Sequence, residues 1–540
     1  MATAANVVFF SASPFGTGDI KTGSPTLSIT SGVATLTVDQ TGNIGAGDCI
    51  DFGSGPTLVY IAPCRIAFNS GSVEPLINNK LRGVTSGAIG IVRAVELSSG
   101  SWAGTDAAGY IYFRKVIGTF QSGENINRVR PTRSANILTT NSTLQGNMVD
   151  EFVVKDPDGT DAGNVAGPET VNSIHHEYAS LSAAEAGYLD ANHINDTNLT
   201  AGNADIMAHI CLYYDHDDQT ADSTNVTIDG ATTDVEHTLY VFAPQGNEES
   251  VNDQKHSGIW NGNKWFLETG TGDLITVSDG HVKLENLQLY NNSGSGCVGV
   301  YGTASYVHIG YSIIKATLTG GDNNAYGINN NNITYAYNCI IYDWENGAKD
   351  GNIAISMQGY AYNITIFNCS NGMQGFTSLI VHNCIVNDIY ATGYPFYGAI
   401  NIASSYNIGN SQIAYVASVT SHTTGTADGT EANKLVDSGE TFSGIIVGNV
   451  VRNTTDTTYT YVTSIAEAGI GKLGLNDDIF ISGKNYAVCT NIFGDVTFNN
   501  EGGDDFHLGA GDTLAQAHGT NLSSDANLPL WDDIDNDERL

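Results

Sequence analysis

Asp343 and Asp388 hold the same place in two copies of a short repeat, and Asn368 holds it in the copy between them. Stacked as β-strands about 4.8 Å apart, the copies would set the two aspartates roughly 9 to 10 Å apart. Glu345 falls on the same strand face as Asp343. Carboxyl groups about 6.5 to 9.5 Å apart can serve an inverting glycosidase as acid and base. Tyr342, Trp344 and Tyr390 would then offer ring faces to a sugar. The plainer reading of the same residues is a row of solvent-facing acids.

Other groupings exclude more than they suggest. Arg128, Arg130 and Arg133, with Arg114 and Lys115 upstream, form the most basic stretch and would dock on an acidic neighbour. No arginine occurs between 134 and 451, and Lys315 and Lys349 are the only lysines among the repeats. A base and cationic clamp for eliminating polyuronates are therefore hard to assemble. Asp156, Asp158 and Asp161 in DPDGTD, and Asp533, Asp535 and Asp537 near the end, imitate part of a calcium loop. The second cluster has Glu538 where such a loop needs glycine. Solvated turn and tail acids are expected, with no cofactor and no metal. His175, His176 and Glu177 do not read as a metal motif, because neighbouring histidines on a strand project to opposite sides.

The elements that must position these residues are written as a six-residue unit. It reads LENLQL from Leu284, IGYSII from Ile309, AYNCII from Ala336, AYNITI from Ala361, VHNCIV from Val381 and IGNSQI from Ile408. Successive starts are 25, 27, 25, 20 and 27 residues apart. The sixth place is Leu289, Ile314, Ile341, Ile366, Val386 and Ile413, an aliphatic column that would point inward. The third is Asn286, Tyr311, Asn338, Asn363, Asn383 and Asn410, a near-continuous amide column suited to bonding along the stack. Cys339 and Cys384 share the fourth place as small core residues. Such a period is what a parallel β-helix requires, each coil forming one rung.

The chain has 540 residues, 21 Lys and Arg against 57 Asp and Glu, and a net charge of −36, which repels nucleic acid and anionic lipid. The 62 glycines and 11 prolines suit turns between short strands. Eight cysteines without a CxxC pair read as reduced thiols. The start lacks a basic, apolar leader, and no apolar run would span a bilayer. The expected division is an N-terminal β domain over 1–80, a small β module over 81–135 and a linker or docking segment over 136–170. A capped solenoid follows over 171–421, an inserted β module over 422–487, and a last coil with an acidic tail over 488–540. Ser182 and Glu185 have capping-box spacing, so a short helix is expected to cap the solenoid.

The rungs with stacked Asn and NCI strands resemble right-handed parallel β-helix proteins of the pectate-lyase-like superfold. GVTSGAIGIV with GTFQSGENI, and ADGTEANKLVDSGETFSGIIVGNVVRNTTD with LNDDIFISG, are similar to β modules of tailed-bacteriophage structural proteins. The opening EYASLSAAEAG and the close DDFHLGAGDTLAQAHGTNL resemble phage and environmental bacterial β-helix proteins. The resemblance implies an all-β virion protein with small N-terminal β domains, a right-handed parallel β-helix and an inserted β module. A tail spike or fibre recognising host-surface polysaccharide is its leading role, with capsid decoration and a depolymerase as alternatives. It implies other virion proteins as partners, a homotrimer if a spike, and no nucleic-acid or membrane partner.

Overall fold

The repeated units pair in parallel, in the register their spacing predicts. Leu284 lies beside Ile309, Ile309 beside Ala336, Ala336 beside Ala361 and Ala361 beside Val381. The computed structural model describes residues 3–55, 57–214, 220–293, 296–319, 324–345, 351–390, 392–417, 420–516, 518–525, 527–530 and 532–534. It is all-β with two long parallel sheets, and its described α-helices are two short ones, Leu181–Gly187 and Ile413–Val416. One sheet contains Val282–Glu285, Val307–Gly310, Tyr326–Tyr337, Ile353–Tyr362 and Asn371–His382. The other contains Gln288–Asn291, Ile313–Ala316, Ile340–Tyr342, Thr365–Phe367 and Ile385–Asn387. Leu289, Ile314, Ile341, Ile366 and Val386 stack in register and are buried, as an inward column should be.

The third place is where the chain bends from the first sheet into the second. Asn286, Tyr311, Asn338, Asn363 and Asn383 all have φ between 50° and 59°. Asparagine tolerates this left-handed conformation better than other residues with a side chain, glycine apart. Its amides also bond along the stack: Asn363 Nδ2 donates to Asn338 Oδ1 at 2.9 Å, and Asn383 Nδ2 to Asn363 Oδ1 at 3.2 Å.

The sixth unit corrects the expected alignment. Ile408 pairs with Ile385 and Gly409 with Val386, so this coil returns four residues earlier than the hexad spacing suggested. Tyr406, at φ 58°, takes the bend. Asn410 instead donates to Asp495 Oδ1 at 2.8 Å, and Ile413 opens a helix. The left-handed bend sets the register here, and IGNSQI matches the repeat in composition only.

The first parallel sheet extends well upstream. Asn6–Ala12 pairs in parallel with Ile206–Leu212, which pairs with Leu239–Phe242 and through it with Val282–Glu285. The helix Leu181–Gly187 lies at this early end, with Leu181, Ala184 and Tyr188 in the same core as the coils. Its N-cap is Ser180, whose hydroxyl accepts from Ala183 N at 3.0 Å, and not Ser182 as the capping-box spacing suggested. Glu185 instead accepts from Asp229 N.

Segment 136–170 is not a linker. Glu151–Lys155 and Val165–His175 complete a closed barrel with Thr26–Thr30, Val33–Leu36, Cys49–Phe52 and Thr57–Ala62. Ser134–Thr140 joins a seven-stranded sheet that also holds Ile89–Ser99, Ala107–Ile117 and Asn125–Arg130. The barrel takes strands from before and after the segment that builds most of the seven-stranded sheet, so the two N-terminal units interleave along the chain. Ion pairs lie between them: buried Arg65 grips half-buried Asp161 with two bonds of 2.6 and 2.8 Å, and Lys155 Nζ lies 2.6 Å from Glu96. Downstream, 422–487 builds antiparallel strands around Leu435, Val451, Val462 and Leu473. The parallel stack then resumes where Ile492 pairs with Ile408. No helix among the described residues is long and apolar enough to cross a membrane.

The C-terminal segment folds back over the outward face of the second parallel sheet. Strands Phe498–Asn500 and Asp505–Leu508 form a hairpin whose Phe498 and Phe506 pack with Ile313, Ile340 and Tyr342. Beyond it the chain runs along the bend column towards the N-terminal units. Thr520 N donates to Asn383 Oδ1 at 2.7 Å, Tyr360 Oη to Asn527 Oδ1 at 3.0 Å, and Tyr311 Oη to Asp532 Oδ1 at 2.7 Å. Arg114, from the seven-stranded sheet, closes the strap with a 3.0 Å bond to Asp532 Oδ2. The acids of the tail are expected in solvent, yet Asp533 is half-buried and its neighbour Asp532 is 2% exposed. Asp535, Asp537 and Glu538 lie outside the described residues.

Candidate functional site

Asp343, Asn368 and Asp388 do stack, one per coil, because Tyr342 pairs with Phe367 and Phe367 with Asn387 just before them. All three sit at a second left-handed bend, with φ of 63°, 49° and 48°. Asn368 Nδ2 donates to Asp343 Oδ1 at 2.7 Å. The two carboxylates are thus separated by an amide instead of facing each other across an open gap, and their position answers first to the bend. Asp343 is half-buried and Asp388 exposed. Burial raises the Asp343 pKa, opposed by the Asn368 hydrogen bond. Glu345 is half-buried beside it.

The expected sugar platform is corrected at two of its three rings. Trp344 is fully buried in the coil core, its Nε1 donating to Ile314 O at 3.4 Å. Tyr342 points outward from the coil but lies beneath Phe506, 4.9 Å between ring centroids. Nothing local reveals that a segment more than a hundred residues later covers this outward position. Tyr390 is exposed.

A different group assembles around Asp343. In-register pairing lines up Glu268, Tyr290, Lys315 and Tyr342 on the outward face. Lys315 Nζ lies 3.9 Å from the Trp260 ring centroid, 4.9 Å from that of Tyr290 and 3.6 Å from Asp504 Oδ2. Ile259 bridges to Asp505, which brings Trp260 and Asp504 to this place. Burial lowers the Lys315 pKa, opposed by Asp504, Asp343 and Glu268. The half-buried Trp260 and Tyr290 rings with flanking carboxylates make a strip that can stack a sugar ring and accept from its hydroxyls. Sequence reasoning missed Trp260 and Asp504, which lie outside the repeats and reach the face only through tertiary contacts.

On the other side of the hairpin, a cavity of about 670 Å³ lies between the strap and the sheet. Asn338, Asn363 and Asn383 of the amide column line it, with His507, Gln516 and His518 from the C-terminal segment. Arg128, Arg130 and Arg133 lie on the strand Asn125–Arg130 and the turn after it; Arg133 is exposed, the other two half-buried, and Arg128 Nε donates to Thr132 O at 3.0 Å. Arg114 does not belong to that surface, because it is buried against Asp532. In DPDGTD, Asp161 is held by Arg65 and Asp158 accepts from Thr160. His175 and His176 do point apart: His176 is buried on Asp48 at 2.7 Å. His175, however, joins Cys49 and Glu177, their ligand atoms lying within 4.8 Å of one another.

Compared with known proteins, the chain matches no family model and no curated relative.

Proposed function

We propose that the chain is a virion structural protein of a tailed bacteriophage, built on a right-handed parallel β-helix and serving as a tail spike or fibre. The observation that carries the fold reading is the in-register return of the strands every 20 to 27 residues through two parallel sheets. A stack of coils is stiff and offers extended lateral faces for binding, which suits an appendage. The recognition reading rests on the strip of Trp260, Tyr290, Lys315, Asp343 and Asp504, whose rings and carboxylates match the two faces of a sugar. The N-terminal units dock on the particle in this reading, with Arg128, Arg130 and Arg133 towards an acidic neighbour, and the appendage is a homotrimer.

Immunogold labelling of purified particles tests the role. Label at the tail tip is expected, and label over the head would replace the spike by capsid decoration. A glycan array with the full chain and Trp260→Ala tests the strip: binding present in the parent and lost in the variant is expected, while binding indifferent to Trp260 would remove the strip from recognition.

A further inference from the structure

We propose that Cys49, His175 and Glu177 form a zinc site where the closed barrel meets the start of the parallel sheets. Cys49 and His175 are direct partners across two antiparallel barrel strands, so the register alone brings thiol and imidazole together. Glu177 follows two residues after His175, and Cys49 Sγ lies 2.6 Å from its Oε2. His193, from the loop after the helix Leu181–Gly187, places Nε2 2.9 Å from Glu177 Oε1. Zinc with about 2.3 Å bonds to sulfur and about 2.0 Å bonds to oxygen or nitrogen holds tetrahedral ligand atoms about 3.5 Å apart. The 2.6 Å contact of Cys49 with Glu177 and the 4.8 Å limit of the Cys49, His175 and Glu177 group bracket that separation.

The surroundings are those of a built metal site. Asp190 Oδ1 lies 2.7 Å from His193 Nδ1, which turns Nε2 of that ring onto Glu177 Oε1 and fixes the carboxylate with Oε2 beside Cys49. Zinc binding by the Cys49 thiolate passes the thiol proton to water. Phe10 and Tyr178 pack on the His193 ring at 5.2 and 5.4 Å, a largely apolar collar. Glu177, 17% exposed, leaves a path for entry. Thiolate with imidazole selects zinc over calcium or magnesium, which take oxygen ligands. Three protein ligands leave the fourth position of the tetrahedron to water.

Titration of the metal-free full chain with cobalt(II), followed by zinc displacement, tests the assignment. One equivalent of cobalt is expected, with tetrahedral visible bands and a near-ultraviolet thiolate band that Cys49→Ser abolishes. His193→Asn, outside the barrel, removes the bond that orients Glu177, should weaken binding about 10-fold and decides the matter if Cys49→Ser does not fold. No uptake at micromolar metal, or uptake unchanged in His193→Asn, would overturn the proposal.

Discussion

Replacing Asp532 by asparagine should release the C-terminal strap. The carboxylate is buried, bonded to Arg114 at 3.0 Å and to Tyr311 Oη at 2.7 Å. Arg114 is itself 1% exposed and belongs to the seven-stranded sheet, so it cannot follow the tail into water. Breaking one side of a buried ion pair costs roughly 3–5 kcal/mol, because a charge is left behind without compensation. Asparagine keeps an oxygen for Tyr311, which places the expected effect near the lower bound, about 3 kcal/mol. At about 1.36 kcal/mol per factor of ten, the protection of strap amides against hydrogen exchange should fall roughly 10²-fold, while that of coil amides changes much less. Mass-spectrometric hydrogen exchange over 518–534 reads this directly. The double variant Arg114→Met/Asp532→Leu removes both charges and should recover most of the protection. Strap protection within twofold of the parent in Asp532→Asn, or a double variant as open as the single, would refute the reasoning.

Further outcomes follow from the same structure. Burial lifts the Glu248 carboxyl to about 7 from an ordinary 4.5, so the folded state holds its proton where the unfolded chain has lost it. Stability therefore falls as pH rises from about 4.5 to about 7, by about 3 kcal/mol in all; Glu248→Gln should flatten that part of the denaturation profile, and parallel profiles would refute it. Asn363→Ala loses two ladder bonds and places alanine at φ 55°, so it should destabilise by roughly 2–4 kcal/mol, with Asn363→Gly recovering the backbone part in urea melts. Asp343→Asn should stay within about 1 kcal/mol of the parent, since asparagine suits the bend and burial already disfavours the charge; a large drop in Tm would mean that the carboxylate itself holds the face together.

The coil core was legible because a parallel stack repeats its physics: the same bend needs Asn at 338, 363 and 383, and the same inward place needs Ile or Val at 341, 366 and 386. Ile408 shows the limit, since composition repeats there while the bend falls on Tyr406. What depended on distant chain was not readable. Trp344 and Tyr342 differ from exposed aromatics only by what lies over them, and the cover comes from the coil interior in one case and from Phe506 in the other. Cys49 and His175 meet through barrel register, which no local spacing reveals. The expected linker differs for the same reason, its strand Val165–His175 closing on partners more than a hundred residues earlier.

A stack of coils bound only to its neighbours can fray from either end, each coil melting almost alone. The strap alters that behaviour by touching residues of several coils, at Asn383, Tyr360, Asn338 and Tyr311, before it ends on Arg114. A late coil cannot open far without loosening a chain that also holds the earlier ones. The ensemble is thereby pushed from piecemeal melting towards all-or-none unfolding, and a pull along the stack is shared between the coils and a second, parallel line of chain.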